Sequence, residues 1–306
     1  MEVITPSYAP DFELCRDLNQ SVLDNTSDDV THKIFVSRRD LEQFALLTSD
    51  RTEIVCTADL LPRTLVELPR LNFSVNLRQP FPPIRGWMRQ QLVKLAAAAA
   101  SSADVVIVVD SDIEFIRPFT AETFRQHGVV RLYRWPEAID DGMSRHIAWH
   151  NGARYLLGLQ RVGMPFTDYI SSPLAWDPAL VRQLLARVEA IAKHGWTTEL
   201  GGLLHLSEAT LYGLFVDECL GPPANTFSSE DSYMHGYWET TPIHAASAAA
   251  FIAGISPTDL AVMISAKSGT PLAVRRQVIA ELRRALPAND RPTRLKPSAG
   301  EITDYR

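Results

Sequence analysis

The sequence has few cysteines and no surplus of positive charge, and each lack excludes a class of protein. Its 306 residues contain 3 cysteines, an odd number without CxxC spacing. A disulfide framework and a cysteine-based zinc site are therefore not expected, and a reducing cytoplasm is favoured. The formal net charge is −6. Because non-specific binding to nucleic acid needs a basic surface, no nucleic-acid partner is predicted.

Long hydrophobic runs are also missing. The first residues, MEVITPSYAP, lack the basic and apolar regions of a secretory signal peptide. The most apolar window elsewhere, residues 245–255, is too short and too rich in alanine to span a bilayer. We therefore expect a soluble chain with no membrane span.

Short apolar runs alternate with helical patterns, which is typical of an α/β fold with a mostly parallel sheet flanked by helices. Strands are predicted at 2–5, 33–37, 53–56, 104–109, 129–133 and 260–265. Helices are predicted at 11–23, 40–47, 86–100, 178–193, 207–219 and 272–285. Residues 60–85 are rich in proline and predict a long loop, and a polar loop is predicted at 134–144. The pattern indicates one domain over 1–286, followed by a tail of low apolar content at 287–306.

The strongest signal is the segment VVIVVDSDIEFIRPF at residues 105–119. A buried strand is followed by Asp110 and Asp112, which would point to the same side if the strand ran through both. Two neighbouring carboxylates repel each other, and burial adds to that cost. A shared divalent cation or a shared proton would offset it. Oxygen ligands at a strand end suit Mg²⁺ or Mn²⁺ together with substrate phosphates, whereas a capped turn with a solvated Asp112 is the purely structural alternative.

Four blocks together carry a family resemblance: ITPSYAPDFELC, GWMRQQLVKLAAA, VVDSDIEFIRPF and SEATLYG, with MISAKSG as a late block. From about Val3 to Gly269 the chain resembles a bacterial family of GT-A-type glycosyltransferases with a DxD motif. The resemblance implies a GT-A-like, Rossmann-like fold. It also implies a divalent cation, Mn²⁺ or Mg²⁺, that bridges the two phosphates of a nucleotide-sugar. Residues 1–119 would then bind the donor and residues 120–286 the acceptor.

The resemblance also assigns roles along the chain. Asp110 and Asp112 would hold the metal, and His244 is a candidate third ligand because some GT-A families use a late histidine. The expected donor-binding residues are Thr5, Pro6, Ser7, Tyr8, Arg85, Arg89, Gln90, Lys94, Asp110, Ser111, Lys267 and Ser268. Among them, Tyr8 could stack on the base, Gln90 and Lys94 share one helix face, and Lys267 could neutralise the departing diphosphate.

Two carboxylates are candidates for the base that deprotonates an acceptor hydroxyl. Glu208 follows Ser207, a predicted N-cap, and lies in the first turn of its helix. The helix dipole alone could explain a glutamate there. Asp177 is the rival, although an aspartate before a proline at a helix start is typical of a cap.

The predicted function is metal-dependent transfer of a hexosyl-type sugar from a nucleotide-diphosphate-sugar to a hydroxyl of a small molecule or glycan. Two alternatives stay open at this point. A nucleotidyltransferase acting on a sugar phosphate would use the same fold and metal. A non-catalytic nucleotide-sugar-binding protein would keep binding without turnover.

Overall fold

The computed structural model describes residues 1–68, 71–192, 194–221, 224, 226–287 and 290. The strands are β1 Glu2–Pro6, β2 Thr31–Val36, β3 Thr52–Cys56, β4 Leu65–Glu67, β5 Phe73–Asn76, β6 Gln79–Arg85, β7 Val106–Val108, β8 Ile113–Phe115, β9 Arg125–Gln126, β10 Val129–Tyr133, β11 Trp135–Ile139, β12 Phe166–Asp168, β13 Leu174–Trp176, β14 Thr226–Ser229, β15 Met234–Tyr237 and β16 Ala261–Ile264.

The α-helices are α1 Phe12–Asn25, α2 Leu41–Phe44, α3 Thr57–Leu60, α4 Gly86–Ala100, α5 Ala121–Phe124, α6 Ser144–Leu156, α7 Pro178–Ile191, α8 Trp196–Gly201, α9 Glu208–Leu214, α10 Ala245–Ala253 and α11 Leu272–Ala285. A π-helical turn at Phe215–Leu220 extends α9. Among the residues that the structure describes, no helix combines the length and apolarity needed to cross a membrane.

The central sheet has the strand order β13-β7-β1-β2-β3. Strands β1, β2, β3 and β7 are parallel, and β13 runs antiparallel to β7 at the edge. The predicted α/β fold, with a Rossmann-like, mostly parallel sheet flanked by helices, is therefore confirmed. Strand β7 (VIV) is wholly apolar and buried, as is typical of a strand covered on both faces, whereas β2 (THKIFV) and β3 (TEIVC) begin with polar residues.

The order of the sheet reverses at β1. From β1 the chain builds β2 and β3 on one side, and it then returns to place β7 on the other side. In open α/β sheets, ligands bind outside the carboxyl ends of the strands at such a switch point. The loops that follow β1 and β7 therefore form the expected binding crevice.

Helix α4 covers this part of the sheet. Its bounds and those of α11 agree with the prediction, as do those of β10. Leu92, Leu95 and Ala98 of α4 are fully buried in the main apolar core, against β1 and α7. The polar residues Gln91 and Lys94 are also buried, so this helix has no fully solvated polar face.

Two predicted loops are wrong. Residues 60–85 contain the antiparallel sheet β4-β5-β6, and residues 134–144 contain β11. The first sheet was predicted as a loop because three of the seven residues of β6 (QPFPPIR) are prolines, which are rare inside strands. Its pairing with β5 shifts register, and the shift leaves room for them. The predicted tail at 287–306 lies almost wholly outside the described residues.

Candidate functional site

The acid pair lies in the turn that joins β7 to β8. Strand β7 ends at Val108, so the strand does not run through both acids as the alternation argument assumed. The Ile113 amide donates to the carbonyl oxygen of Asp110 at 3.3 Å, which closes the turn. The Asp110 side chain is half exposed. Burial and then the negative charge of Asp110 raise the pKa of Asp112, so the two carboxylates do act on each other.

A hydroxyl pair ties the acid-pair turn to the loop after β1. Ser111 Oγ donates to Ser7 Oγ at 2.9 Å, and both residues are buried. Tyr8, the residue after Ser7, is 36% exposed, and partial burial followed by the negative charge of Asp11 raises its pKa. The loop after β1 and the turn after β7 are thus joined by a direct hydrogen bond at the topological switch point.

Asp11 is a third acid at this place, and the sequence reasoning missed it. Burial, followed by the charges of Asp112 and Asp110, raises the pKa of Asp11 to about 6. The signal was present, because Asp11 follows the first strand within the block ITPSYAPD. It was interpreted only as the start of α1. Three carboxylates therefore share one electrostatic environment at the carboxyl edge of β1 and β7.

The other side of Asp112 is held by the segment after β16. The Ala266 amide donates to Asp112 Oδ2 at 2.9 Å, and the guanidinium of Arg275 donates to the Asp112 carbonyl oxygen. Lys267 is the next residue and its side chain is exposed. The buried hydroxyl of Ser268 instead shares a hydrogen bond with Thr270. Of Lys267 and Ser268, Lys267 therefore has the exposed side chain, and it is the one that could contact a ligand bound at Asp112.

Lys94 reaches the acid pair from α4. Its Nζ lies 2.8 Å from Asp110 Oδ1 and 2.9 Å from Glu208 Oε1. Burial alone would lower the pKa of Lys94, but the two carboxylates raise it above its ordinary value. Gln91, one turn earlier, accepts a hydrogen bond from the Glu208 amide at 2.9 Å. Lys94 therefore lies beside Asp110 as a buried ion-pair bridge and not on a solvated helix face, and its predicted contact with a donor stays a prediction.

The remaining predicted donor residues have other partners. Arg89 donates to Thr57 Oγ1 at 2.5 Å and pairs with Glu67, beyond the end of β3. Arg85 donates to the carbonyl oxygen of Leu204. Gln90 is half-buried on α4. These three side chains are not brought together with the acid pair by any described contact.

The side chains at the end of β1 are buried and are not accessible to a ligand. The Thr5 hydroxyl bonds His32 Nε2 at 2.9 Å, and Pro6 is buried. Asn19 Oδ1 accepts from His32 Nδ1 at 2.8 Å, so Nδ1 carries the proton and Thr5 donates to Nε2. The Ser7 amide donates to the Phe35 carbonyl oxygen and the Tyr8 carbonyl oxygen accepts from the Asp11 amide, so of the predicted segment 5–8 the exposed Tyr8 side chain remains available to a donor.

The two candidate bases occupy different places. Ser207 caps α9 through Thr210, as predicted, and puts Glu208 in the first turn beside Lys94. Asp177 caps α7 by accepting from the Ala179 amide at 2.7 Å. Its own amide donates to Tyr212 Oη at 3.1 Å. The geometry therefore gives Asp177 a capping role and joins Glu208 to the acid pair.

His244 is the N-cap of α10, where its Nδ1 accepts from the Ser247 amide at 3.3 Å. Within the described part of the chain, no group of three or more His, Cys, Asp or Glu side chains is spaced to hold a metal ion. Asp110 and Asp112 still fit a hard divalent cation, because both supply carboxylate oxygens and Asp112 is poorly solvated. Water and substrate phosphates would complete the coordination.

A polar cleft of about 410 Å³ lies between β10, the segment before β13 and the π-helical turn. Asp217 Oδ2 accepts from Arg134 Nε and from Tyr169 Oη, each at 2.7 Å. Glu218 pairs with Arg154 through two hydrogen bonds. Single π turns inside α-helices are frequent at functional sites. The sequence reasoning missed this cleft, because the α-helix predicted over 207–219 gave no reason to separate 215–219 from the rest.

One wall of the cleft continues along the chain into the strand that pairs with β7. Strand β13 pairs antiparallel with β7, with Leu174 opposite Val108. The chain that precedes Leu174 therefore enters the sheet from the carboxyl edge of β7, the edge from which Asp110 emerges. Tyr169 belongs to that entering segment. The chain thus leads from Tyr169 of the cleft to the carboxyl edge of β7.

Residues 4–241 match DUF6492, a family of unknown function, and the chain belongs to it. No protein with a curated description matches the sequence significantly.

Solved structures similar to this chain are glycosyltransferases. Mouse xyloside xylosyltransferase 1 in its apo form gives a TM-score of 0.48 at 13% identity, over 89% of this chain and 100% of that one. The galactosyltransferase LgtC, in complex with donor and acceptor sugar analogues, gives 0.45 at 11% identity, over 94% and 96% of the two chains. The glycosyltransferase GlyE of Streptococcus pneumoniae gives 0.41 at 12% identity, over 92% and 62%. At these scores and identities the likeness does not assign an activity.

Proposed function

We propose that this protein is a metal-dependent glycosyltransferase that moves a sugar from a nucleotide-diphosphate-sugar to an acceptor hydroxyl. The observation that carries the proposal is the junction of the Ser7 loop and the Asp110–Asp112 turn at the switch point of the sheet. Ligands of open α/β sheets bind at such a junction. The sequence blocks around the same residues are those that resemble GT-A-type enzymes.

The charges of the site support a diphosphate bridged by a cation. Asp11, Asp110 and Asp112 place negative charge where an anionic diphosphate alone would be repelled. A divalent cation held by Asp110 and Asp112 would neutralise both the carboxylates and the charge that develops on the leaving diphosphate. Lys267, beside the amide that binds Asp112, would add a second positive group at the phosphates.

Transfer of the sugar requires no reactant other than the nucleotide-diphosphate-sugar and the acceptor. The bond between the anomeric carbon and the diphosphate oxygen breaks, and its electron pair leaves with the nucleoside diphosphate. The acceptor oxygen forms the new bond to the anomeric carbon and loses its proton to a base. We propose that the acceptor lies in the cleft of Asp217, Arg134 and Tyr169, since its paired charges and hydroxyl suit the many hydroxyl groups of a sugar.

The experiment that tests the proposal is a thermal-shift screen of nucleoside diphosphates and nucleotide-sugars, with and without Mn²⁺. A ligand that binds only the folded state raises the melting temperature by mass action. We expect a Mn²⁺-dependent shift with one nucleoside diphosphate, lost in Asp112→Asn and kept in Asp104→Asn. Asp104 is an exposed aspartate that pairs with Arg125, away from the turn, and serves as the matched control.

Two results would overturn the proposal. The first is the absence of any shift with every nucleoside diphosphate tested. The second is release of pyrophosphate from a nucleoside triphosphate in the presence of a sugar phosphate, which would make the protein a nucleotidyltransferase.

A further inference from the structure

The β4-β5-β6 sheet has one packed face and one bare face. Opposite residues of an antiparallel pair lie on the same face, and pairing sets Leu65 opposite Asn76, Glu67 opposite Ser74 and Ser74 opposite Ile84. This inner face packs on the body of the protein. Asn76 donates to Thr198 Oγ1 of α8 at 2.9 Å, and Ile84 is buried.

The outer face is formed by Val66, Phe73, Val75 and Arg85. Val66 pairs with Val75, and Phe73 pairs with Arg85, so all four side chains share one side of the sheet. Val66 is 40% exposed and Phe73 is 39% exposed. Val66, Phe73 and Val75 belong to none of the apolar core clusters of the described residues, whereas Arg85 donates to the carbonyl oxygen of Leu204.

Further exposed apolar side chains lie at the ends of this sheet. Leu77 at the β5–β6 turn is 66% exposed, Phe81 in the irregular part of β6 is 79% exposed and Leu71 is 55% exposed. Of the fifteen large hydrophobic residues exposed in the described part of the chain, six fall within residues 66–87. Scattered exposed hydrophobics are ordinary, whereas a cluster of this kind marks an interaction surface.

The charge of this segment is opposite to that of the chain. Residues 61–85 contain four arginines (Arg63, Arg70, Arg78 and Arg85) and one acid, Glu67, in a chain of net charge −6. Glu67 lies on the inner face and is paired with Arg89, so it does not offset the arginines. Arg63, Arg78 and Arg85 are exposed. Positive charge at the border of an apolar surface is the combination that anionic membranes attract.

We propose that the outer face, with Leu77 and Phe81 at its end, docks this protein on an anionic lipid surface. The apolar side chains enter the boundary of the headgroups, and the arginines bind lipid phosphates. The sheet connects β3 to α4, and α4 carries Lys94. Docking would therefore place the start of α4, at Gly86, next to the docked sheet. The proposal does not depend on the catalytic activity.

The test is flotation of the full chain with vesicles of phosphatidylcholine alone and of phosphatidylcholine mixed with phosphatidylglycerol. We expect binding to the anionic vesicles only, weakened by salt. An arginine near an anionic surface strengthens binding about fivefold, so Arg63→Ala with Arg78→Ala should weaken it about 25-fold. Leu77→Ser with Phe81→Ser should weaken it more than about 100-fold, because both side chains lose their burial in lipid.

Matched controls are Leu46→Ser and Arg161→Ala. Leu46 is 78% exposed between β2 and β3, and Arg161 is an exposed arginine outside the sheet. Both controls should bind as the wild type does, and circular dichroism should show that every variant is folded. Equal binding by the Leu77/Phe81 variant, or no binding by the wild type, would overturn the proposal. So would a dimer in sedimentation velocity that the Leu77/Phe81 change dissociates, since a second copy would then be the occupant.

Discussion

The ammonium group of Lys94 donates a hydrogen bond to Glu208 at 2.9 Å, and this contact joins α4 to α9 across 114 positions of the sequence. Both side chains are about nine-tenths buried. The same ammonium also contacts Asp110 at 2.8 Å. One buried cation therefore links the core helices to the acid pair, and changes at Lys94 should affect stability and ligand binding together.

Replacing Lys94 by methionine should lower the free energy of unfolding by about 3 kcal/mol, because Glu208 is left buried without its partner. Adding Glu208→Gln should recover part of that loss. Urea unfolding of the wild type, both single variants and the double variant measures the coupling as a double-mutant cycle. A coupling energy near zero would show that the ion pair has no net influence on folding.

Asp11 should make the folded state less stable as pH rises. Its pKa is raised from 3.8 to about 6, so the folded protein holds this proton more tightly than the unfolded chain does. The resulting stability is fully present below about pH 4 and is lost as pH rises through 6. Asp11→Asn should remove this component from a plot of the free energy of unfolding against pH. Mn²⁺ should bind more tightly above pH 6, where Asp11 is ionised, and isothermal titration at several pH values measures this.

His32 should make the folded state more stable as pH rises, which is the opposite of the dependence expected for Asp11. Burial lowers its pKa from 6.5 to about 3, so the folded state excludes the charged imidazole. The stability is complete above about pH 6.5 and declines as pH falls towards 3. His32→Gln should flatten that acid limb, although the loss of bonds to Thr5 and Asn19 lowers overall stability. His127→Asn, at an exposed position with positive φ that asparagine tolerates, should leave the limb unchanged.

Tyr169→Phe removes the hydroxyl that donates to Asp217 in the proposed acceptor cleft. An acceptor bound in the cleft would hydrogen-bond this hydroxyl or the Asp217 carboxylate that it orients; loss of one such hydrogen bond costs about 1 kcal/mol, so KM for the acceptor should rise about fivefold. The Mn²⁺-dependent thermal shift with the donor diphosphate should not change. Tyr155→Phe, at a tyrosine that is 69% exposed on α6, is the matched control. A raised donor KM with an unaltered acceptor KM would remove the acceptor from this cleft.

Glu208→Gln and Asp177→Asn separate the two candidate bases. Because asparagine also caps helices, Asp177→Asn should keep both stability and kcat. Since Glu208 holds Lys94 against Asp110, Glu208→Gln should raise the donor KM and weaken the Mn²⁺-dependent shift. If it instead lowers kcat by about 100-fold or more and removes the basic group from the pH profile, Glu208 is the base itself.

Much of the sheet could be predicted because buried parallel strands have a strong local signal. The run before Asp110 and the helix GWMRQQLVKLAAAAA depend on hydrophobicity alone, and the structure confirms both elements. The alternation argument placed Asp110 and Asp112 within a strand, whereas the strand ends at Val108 and both acids lie in the turn that follows. The strand before Asp110 could be predicted because its signal is a run of apolar residues that are adjacent in the sequence.

The site beyond the acid pair could not be predicted in the same way. Lys94 and Gln91 seemed to belong to a polar helix face, and only tertiary packing shows that both are buried against Glu208. Asp217 and Tyr169 are 48 residues apart and meet through loop geometry. These contacts produce no periodic pattern in the sequence, because the two residues of each contact belong to different secondary-structure elements or loops.

The π-helical turn at Phe215–Leu220 makes the cleft sensitive to chain length, not only to side-chain chemistry. A π turn holds one residue more than an α-helical turn, and each residue of an α-helix rotates the chain by about 100°. Deleting a single residue before Asp217 would let the segment continue as a regular helix. Asp217 would then turn away from Arg134 and Tyr169, although every one of the three side chains is still present. Natural or engineered single-residue deletions here should therefore change what the cleft can hold more than most substitutions do.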